Sequence, residues 1–324
     1  MALALVLIFA VTRVIFVPQG ELVALGALSL ASLQLGQVPG TAWLLLSVAG
    51  VVLVVDLVVA WNERRPAAAL RTLGWNLVLP IAVVAAVALL APTKPALWVQ
   101  MLMTVGLVVP LGPMIYRLAF QPIANAPVLV LMVVAIAVHF VLVGLGLVFF
   151  GAEGFRTTPI LDAQFRLGAV TVSAQSLWVL GVVGVMIAAL YAFFEHTLYG
   201  KALRATAVNR VGARLVGVST AFAGKLSFGL AALIGVMSGI LVSPLTTMYY
   251  DTGFLIGLKA FVAAIIGGLV SYPLAALGAV MVGLLESYSS FWASPYKEVI
   301  VFTLIIPVLI WRSLTSHVIE DEQE

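Results

Sequence analysis

The stretch Val128-Leu129-Val130-Leu131-Met132-Val133-Val134-Ala135-Ile136-Ala137-Val138 is apolar at every position. Folded either way it has no polar face to turn toward water. A membrane-spanning strand would alternate apolar and polar residues about every second position, whereas a helix in lipid is apolar all round. The stretch continues to Phe150 with His139 as its one ionisable residue. That is long enough for the about 20 residues that carry a helix across roughly 30 Å of hydrocarbon.

Working outward from this run, cuts wherever charges, Pro and Gly cluster divide the chain into eleven apolar segments. They lie near residues 1–12, 20–35, 41–61, 75–90, 97–115, 128–150, 177–194, 226–244, 254–270, 274–286 and 298–311. The first two, and the pair either side of Ser271-Tyr272-Pro273, are short, which predicts re-entrant or interfacial helices among them. The fold class expected is an all-α polytopic membrane protein of nine to eleven helices, with residues 1–324 forming one transmembrane domain. Composition agrees: 63% of the 324 residues are hydrophobic and 9% charged, against about 25% charged in an average soluble domain. A formal net charge of +3 reflects scarce charge and no cationic surface for nucleic acid. Residues 1–10 lack the cationic start and cleavage site of a secretory signal and are expected to be a retained membrane segment.

Lysine and arginine set the expected orientation. Arg13, Arg64, Arg65, Arg71, Arg117, Lys201, Arg204, Arg210, Arg214, Lys225 and Arg312 fall on one side, and Lys94, Arg156, Arg166 and Lys297 on the other. The richer side is placed in the cytoplasm, and with it the C-terminal tail bearing Glu320, Asp321, Glu322 and Glu324. The outer loop 151–176 holds Phe165 to Ser173, whose β-branched residues around a glycine predict a small hairpin, either a docking surface or a plain connector. The inner loop 195–225 carries five of the sixteen basic residues. Its stretch Tyr199 to Val218 predicts one or two short amphipathic helices with breaks at Asn209 and Gly212. Composition alone would leave that loop as an ordinary cationic connector touching lipid headgroups.

Chemistry-bearing residues are few. The chain has no cysteine, which removes disulfides, thiolate metal sites and cysteine nucleophiles. His139 is expected to be a satisfied core histidine, and no spacing of histidines and carboxylates suggests a metal. Gly224-Lys225 is followed by Leu226, so the phosphate-cradling Gly-x-x-x-x-Gly-Lys-Ser/Thr loop is missing and no ATPase site of its own is expected. Ionisable residues within apolar segments each need a reason. Lys259 is read either as a charge lining or gating a pathway, or as a lysine that snorkels or pairs with Asp251 or Glu286. Asp56 is expected near the inner interface, and Glu21 and Glu286 to join helices by buried hydrogen bonds. Gly235 with Gly239, and Gly253 with Gly257, have the four-residue spacing that lets helices approach closely. Pro110, Pro113, Asn125 and Pro127 mark ends or kinks of the fifth and sixth helices.

Gly200-Lys201-Ala202-Leu203-Arg204-Ala205, followed by Ala213-Arg214-Leu215-Val216-Gly217-Val218, resembles the cytoplasmic loop of the LivH-type permease subunits of ATP-binding-cassette importers for branched-chain amino acids. Pro18-Gln19-Gly20-Glu21, Gly257 to Gly268, Gly283 to Ser287, Tyr296-Lys297-Glu298 and Leu309 to Arg312 are similar to further blocks of that family, in the right order along nearly the whole chain. Phe16-Val17-Pro18-Gln19 departs from the family's usual Asn-Phe-Ala-His, and Arg13 stands where a glycine is common. These changes bear on substrate more than mechanism.

The resemblance implies a transport subunit, not an enzyme, that carries branched-chain or other hydrophobic amino acids; related members carry urea or short amides. It implies a coupling helix within 195–225, with Gly200, Lys201, Arg204, Ala205, Ala213, Arg214 and Gly217 at the contact with an ATPase. It places Glu21, Gly257 and Lys259 among residues expected to line or gate the pathway. The partners implied are a second homologous permease, two cytoplasmic ATPases, a periplasmic binding protein and membrane lipid, in the cell inner membrane. No cofactor is expected on this chain, with ATP used by the partners. A secondary transporter driven by an ion gradient is the alternative and would need embedded carboxylates as ion sites, for which Asp56, Glu21 and Glu286 are the candidates. An intramembrane hydrolase lacks paired nucleophile and base signals.

Overall fold

A computed structural model of the protein describes residues 1–62, 77–161, 163–167, 170–269 and 271–315. Arg64, Arg65 and Arg71 of the expected inner set, and the acidic residues Glu320 to Glu324, lie outside them. The described chain is an all-α membrane-type bundle, as expected. In order it forms α1 (Ala2–Thr12), α2 (Gln19–Gln34), α3 (Gly40–Asn62), α4 (Leu79–Leu90), α5 (Leu97–Val108), α6 (Leu111–Ile115) and α7 (Val128–Phe150). A hairpin of β1 (Gln164–Leu167) and β2 (Val170–Ser173) follows, then α8 (Ala174–His196), α9 (Leu198–Val208), α10 (Arg210–Leu215) and α11 (Thr220–Val242). The chain closes with α12 (Thr252–Ile266), α13 (Tyr272–Trp292), α14 (Lys297–Thr303) and α15 (Ile305–Thr315).

Six of these spans are long and apolar enough to cross a membrane: Gly40–Asn62, Leu97–Phe120, Val128–Phe150, Ala174–His196, Thr220–Val242 and Tyr272–Trp292. The second is a broken helix. Pro110 caps α6 and a π-helical turn, Tyr116–Phe120, completes the span, because a proline inside a helix removes one amide donor and crowds the preceding turn. Pro127 begins α7. The shorter apolar helices include Ala2–Thr12 and Thr252–Ile266, as the sequence suggested, whereas the segment near 274–286, also read as short, is part of the full-length span Tyr272–Trp292, because Pro273 sits in the first turn of that helix and does not break it.

The bundle is organised around α2, which packs on α11, α12, α5 and α7. Arg13 ends α1 in the left-handed region (φ 61), and Pro18 caps α2. Between them the chain folds back inside the protein: Phe16 and Gln19 are wholly buried, and the Gln19 side chain reaches the Met1 sulfur at 3.9 Å and donates to the Ala231 carbonyl at 2.9 Å. Glycines set the distances. A Cβ on Gly253 would stand 2.5 Å from the Gly20 carbonyl oxygen, and one on Gly235 would stand 2.9 Å from Leu22 Cβ. Both pairs singled out in the sequence are therefore packing positions. Phe16, Phe120, Phe228 and Tyr116 fill the space beneath α2 with edge and tilted ring contacts.

Above α2 the loop after α7 is tied down. Phe155 bridges Met248, Arg156 donates to the Pro244 carbonyl at 2.9 Å, and the Thr158 amide donates to the Gln34 side chain at 2.9 Å. The predicted hairpin forms with Gln164 opposite Ser173 and Leu167 opposite Val170. Side chains on the outer faces of α3, α7, α8 and α13 are apolar and exposed, Val54, Phe140, Leu180 and Leu277 among them. On a membrane-spanning chain such a surface meets lipid or another apolar helix.

Candidate functional site

The inner loop forms two helices, and each begins and ends for an identifiable reason. Thr197 caps α9 by accepting from the Gly200 amide at 3.0 Å, and Asn209 caps α10 by accepting from the Gly212 amide at 2.8 Å. Capping side chains of this kind satisfy amides that a helix start leaves without partners. At the far end the Val218 amide donates to the Ala213 carbonyl and the Gly217 amide to the Arg214 carbonyl, with Gly217 at φ 88. This is a Schellman closure, which wants glycine at that position.

One face of α9 and α10 holds the loop to the bundle. Leu203, Thr206 and Ala213 are buried, and Gly200 sits so close to α8 that a Cβ would lie 2.6 Å from Phe194 Cα. Gly200 and Ala213, expected at a partner contact, thus face inward and fix the loop's seat. The other face is open: Lys201, Arg204, Ala205, Arg214 and Gly217 are exposed. Gly217 stands in the left-handed region, and that backbone conformation is what requires glycine there. Around these residues lie Leu198, Val208, Val211, Leu215 and Val216, with Val208 86% and Leu215 84% exposed. They were not singled out in the sequence, although Val211 and Leu215 stand at the i, i+4 spacing of one face of α10. The result is an apolar patch rimmed by Lys201, Arg204 and Arg214. Arg204 pairs with Glu195 at 2.9 Å, and Arg214 donates to Thr220 Oγ1 at 3.1 Å.

Arg210 points the other way. Its guanidinium donates to the Ala124 carbonyl at 3.3 Å, in the corner between the π-helical turn and α7. Burial pulls its pKa below the ordinary guanidinium value, and Arg214 and Arg13 add to the effect. The loop is therefore fastened to a second inner loop through a half-buried cation.

Among the described residues, the embedded carboxylates Glu21, Asp56 and Glu286 each have a partner. Glu21 on α2 is hydrogen-bonded to His139 Nδ1 on α7 at 3.0 Å, and the His139 ring lies 4.6 Å from Phe254 of α12. Asp56, expected at the interface, is 6% exposed inside the bundle and pairs with Arg117 at 2.6 Å. Glu286 on α13 takes Lys259 of α12 at 2.5 Å, which selects the paired reading of that lysine. Glu21 and Gly257 come together at the crossing of α2 and α12, where Gly257 packs on Gly20. Lys259 is two residues on, about 200° around the helix, and faces α13 instead. The three expected pathway residues therefore do not converge on one point. Among the described residues no group of three or more His, Asp or Glu side chains could hold a metal ion.

Residues 1–309 match the family model for the permease component of the branched-chain amino acid transport system. The chain belongs to this permease family. It is 28% identical over 212 residues to the high-affinity branched-chain amino acid transport system permease protein LivH of Escherichia coli strain K12, covering 61% of this chain and 67% of that one. The corresponding protein BraD of Pseudomonas aeruginosa is 27% identical over 212 residues, covering 62% and 68%. No solved structure matches the permease.

Proposed function

We propose that this permease is the membrane-spanning subunit of an ATP-binding-cassette importer for branched-chain or other hydrophobic amino acids. The observation that carries the proposal is the exposed apolar face of α9 and α10. Water-facing apolar patches of this kind mark contacts with another protein, and this one lies on two short capped helices at the end of a transmembrane bundle. The occupant proposed is a cytoplasmic ATPase, which closes on ATP and pushes the loop, with Lys201, Arg204, Ala205, Arg214 and Gly217 at the contact and Gly200 and Ala213 seating it. A second, related permease completes the pathway, and a periplasmic binding protein delivers substrate. The side bearing α9 and α10 then faces the cytoplasm, together with the C-terminus, in the cell inner membrane. Direction comes from differential affinity in two states, since a ligand shifts an equilibrium only by the difference between them. The pairing of Glu21, Asp56 and Glu286 supports this reading over an ion-driven carrier, which needs an embedded carboxylate free to take up its ion.

The test is to purify the tagged chain from its native membrane in mild detergent, identify what accompanies it and assay ATP hydrolysis. Two ATPases and a second permease, with turnover stimulated by a leucine-loaded binding protein, are expected. A single protein without ATPase activity, which transports leucine down an imposed ion gradient after reconstitution, would overturn the proposal.

A further inference from the structure

Along one flank of the bundle α8 stands apart. No residue of its most apolar 18-residue window is buried, and beyond the hairpin its main neighbour is α9. Three cavities run in series between α8 and the bundle, about 510, 370 and 310 Å³ in volume. They are continuous: the first two share Leu3, Ile187, Leu190, Ile234, Pro273 and Ala276, and the last two share Phe194, Arg204 and Tyr272. From Val179 to Phe194 the groove follows about 22 Å of α8 at the helical rise of about 1.5 Å per residue.

Side-chain charge is confined to one end. The larger cavity is lined by aliphatic side chains with Ser238 as its one polar side chain. Arg204, Glu195 and Arg13 appear only toward the inner mouth. Glu195 is taken up by Arg204, and Arg13, exposed and held over the Phe9 ring, has no carboxylate partner among the described residues. The mouth thus carries one uncompensated positive charge above a long apolar cleft. Water would find almost nothing to bond inside it, and a partner's apolar transmembrane helix would match the cleft without calling for a cation at its mouth. A single anionic head joined to hydrocarbon tails matches both features.

We infer that the groove between α8 and the α1–α13 flank binds one anionic phospholipid of the inner leaflet, its phosphate at Arg13 and Arg204 and its acyl chain along Leu190, Ile187 and Val183 toward Ala279. The lipid fills the space that keeps α8 off the bundle, and its head lies beside α9. The site rests on the membrane-spanning fold and not on the proposed ATPases or substrate.

The experiment is lipid retention by the purified chain in detergent, read by native mass spectrometry after exchange into equal phosphatidylglycerol and phosphatidylcholine. One phosphatidylglycerol per chain is expected to survive conditions that strip phosphatidylcholine. Arg13→Gln should weaken retention about fivefold, the loss that one interfacial cation gives. Ala276→Trp should displace the tail while leaving the head residues in place. Equal retention of the two lipids by the unaltered protein would overturn the inference without any variant having to fold. So would protection from thermal unfolding by inorganic phosphate to the same degree as by phosphatidylglycerol, which would make the mouth a free-anion site. Because the chain has no cysteine, Ile187→Cys gives a unique probe in the native membrane. A disulfide there to a matching cysteine in a second copy would show a protein helix in the groove and remove the lipid. Loss of ATPase association in the purification above would leave each of these readouts unchanged.

Discussion

Asp56 and Arg117 are separated by 61 residues of chain and meet inside the bundle at 2.6 Å, with the arginine only 19% exposed. Removing one member of a buried pair leaves the other charge uncompensated, at a cost of about 3 kcal/mol or more. Asp56→Asn should therefore lower the unfolding temperature in detergent markedly, whereas Asp56→Leu combined with Arg117→Met should recover most of the loss. A double variant as unstable as the single one would mean that the charges serve something beyond cancelling one another. Lys259 and Glu286 behave differently, because both are partly open on the bundle's side. Lys259→Met is expected to lower leucine uptake without reducing the amount of assembled protein if that charge also meets the substrate. Unchanged kinetics would leave it as a helix clamp.

Residues also show where sequence reading reaches and where it stops. The pairing of Lys259 with Glu286 was one of two candidates that spacing alone offered, since both lie in adjacent segments. The Gly235–Gly239 and Gly253–Gly257 spacings were legible because close approach needs a small residue whatever the partner. The Asp56–Arg117 and Glu21–His139 pairs were not, because nothing in a single chain says which distant segments become neighbours. The apolar face of α9 and α10 was missed for another reason. In a sequence that is 63% hydrophobic a few more valines carry no contrast until the surface they occupy is known to lie beyond the bundle's apolar spans.

At the scale of elements, α9 and α10 are rigid because their ends are closed, and the cap at Gly217 is the point most sensitive to substitution. Gly217→Ala should cost about 1 kcal/mol, the usual penalty for a left-handed residue with a Cβ, with Gly217→Asn milder. Gly217→Trp is expected to leave the protein inserted and abolish uptake, and full uptake by that variant would remove the loop's end from the coupling. Leu215→Asp is the sharper probe of the exposed face. Leu215 is 84% exposed, so stability should be little changed while ATPase association falls at least about tenfold, the effect of truncating an interface anchor. Normal association would mean that the apolar face meets lipid headgroups instead. The helix pair, its break at Asn209 and the β1–β2 hairpin were visible in the sequence, since caps and turns are local devices, whereas Gly212, read as a second break, lies inside α10 with its amide held by the Asn209 cap.

For the molecule as a whole, orientation is the property on which every partner assignment depends. Val211→Cys and Phe165→Cys, one in α10 and one in β1, are each the single thiol of the chain. An impermeant maleimide added to intact cells should label the second and reach the first only after the membrane is opened. The reverse pattern would invert the protein and with it the placement of the ATPases. The tether from Arg210 to Ala124 bears on how the molecule moves as a body. A push on α9 and α10 reaches the bundle directly through α11 and also through the corner before α7, so Arg210→Gln should weaken uptake more than it weakens ATPase binding.

The fold-back that seats α2 also sets a timetable for biogenesis. Its entry residue Gln19 donates to the carbonyl of Ala231, 212 residues later in the chain, and the α11 and α12 segments it packs against are made after most of the protein. At about 5–20 residues per second of synthesis, α2 waits about 10–40 s after emerging before its partners exist. A 16-residue helix opening on Gln-Gly-Glu is a poor candidate to rest alone in hydrocarbon during that interval. A helix made early in the permease is thus among the last to reach its final place, and it needs shelter in the meantime.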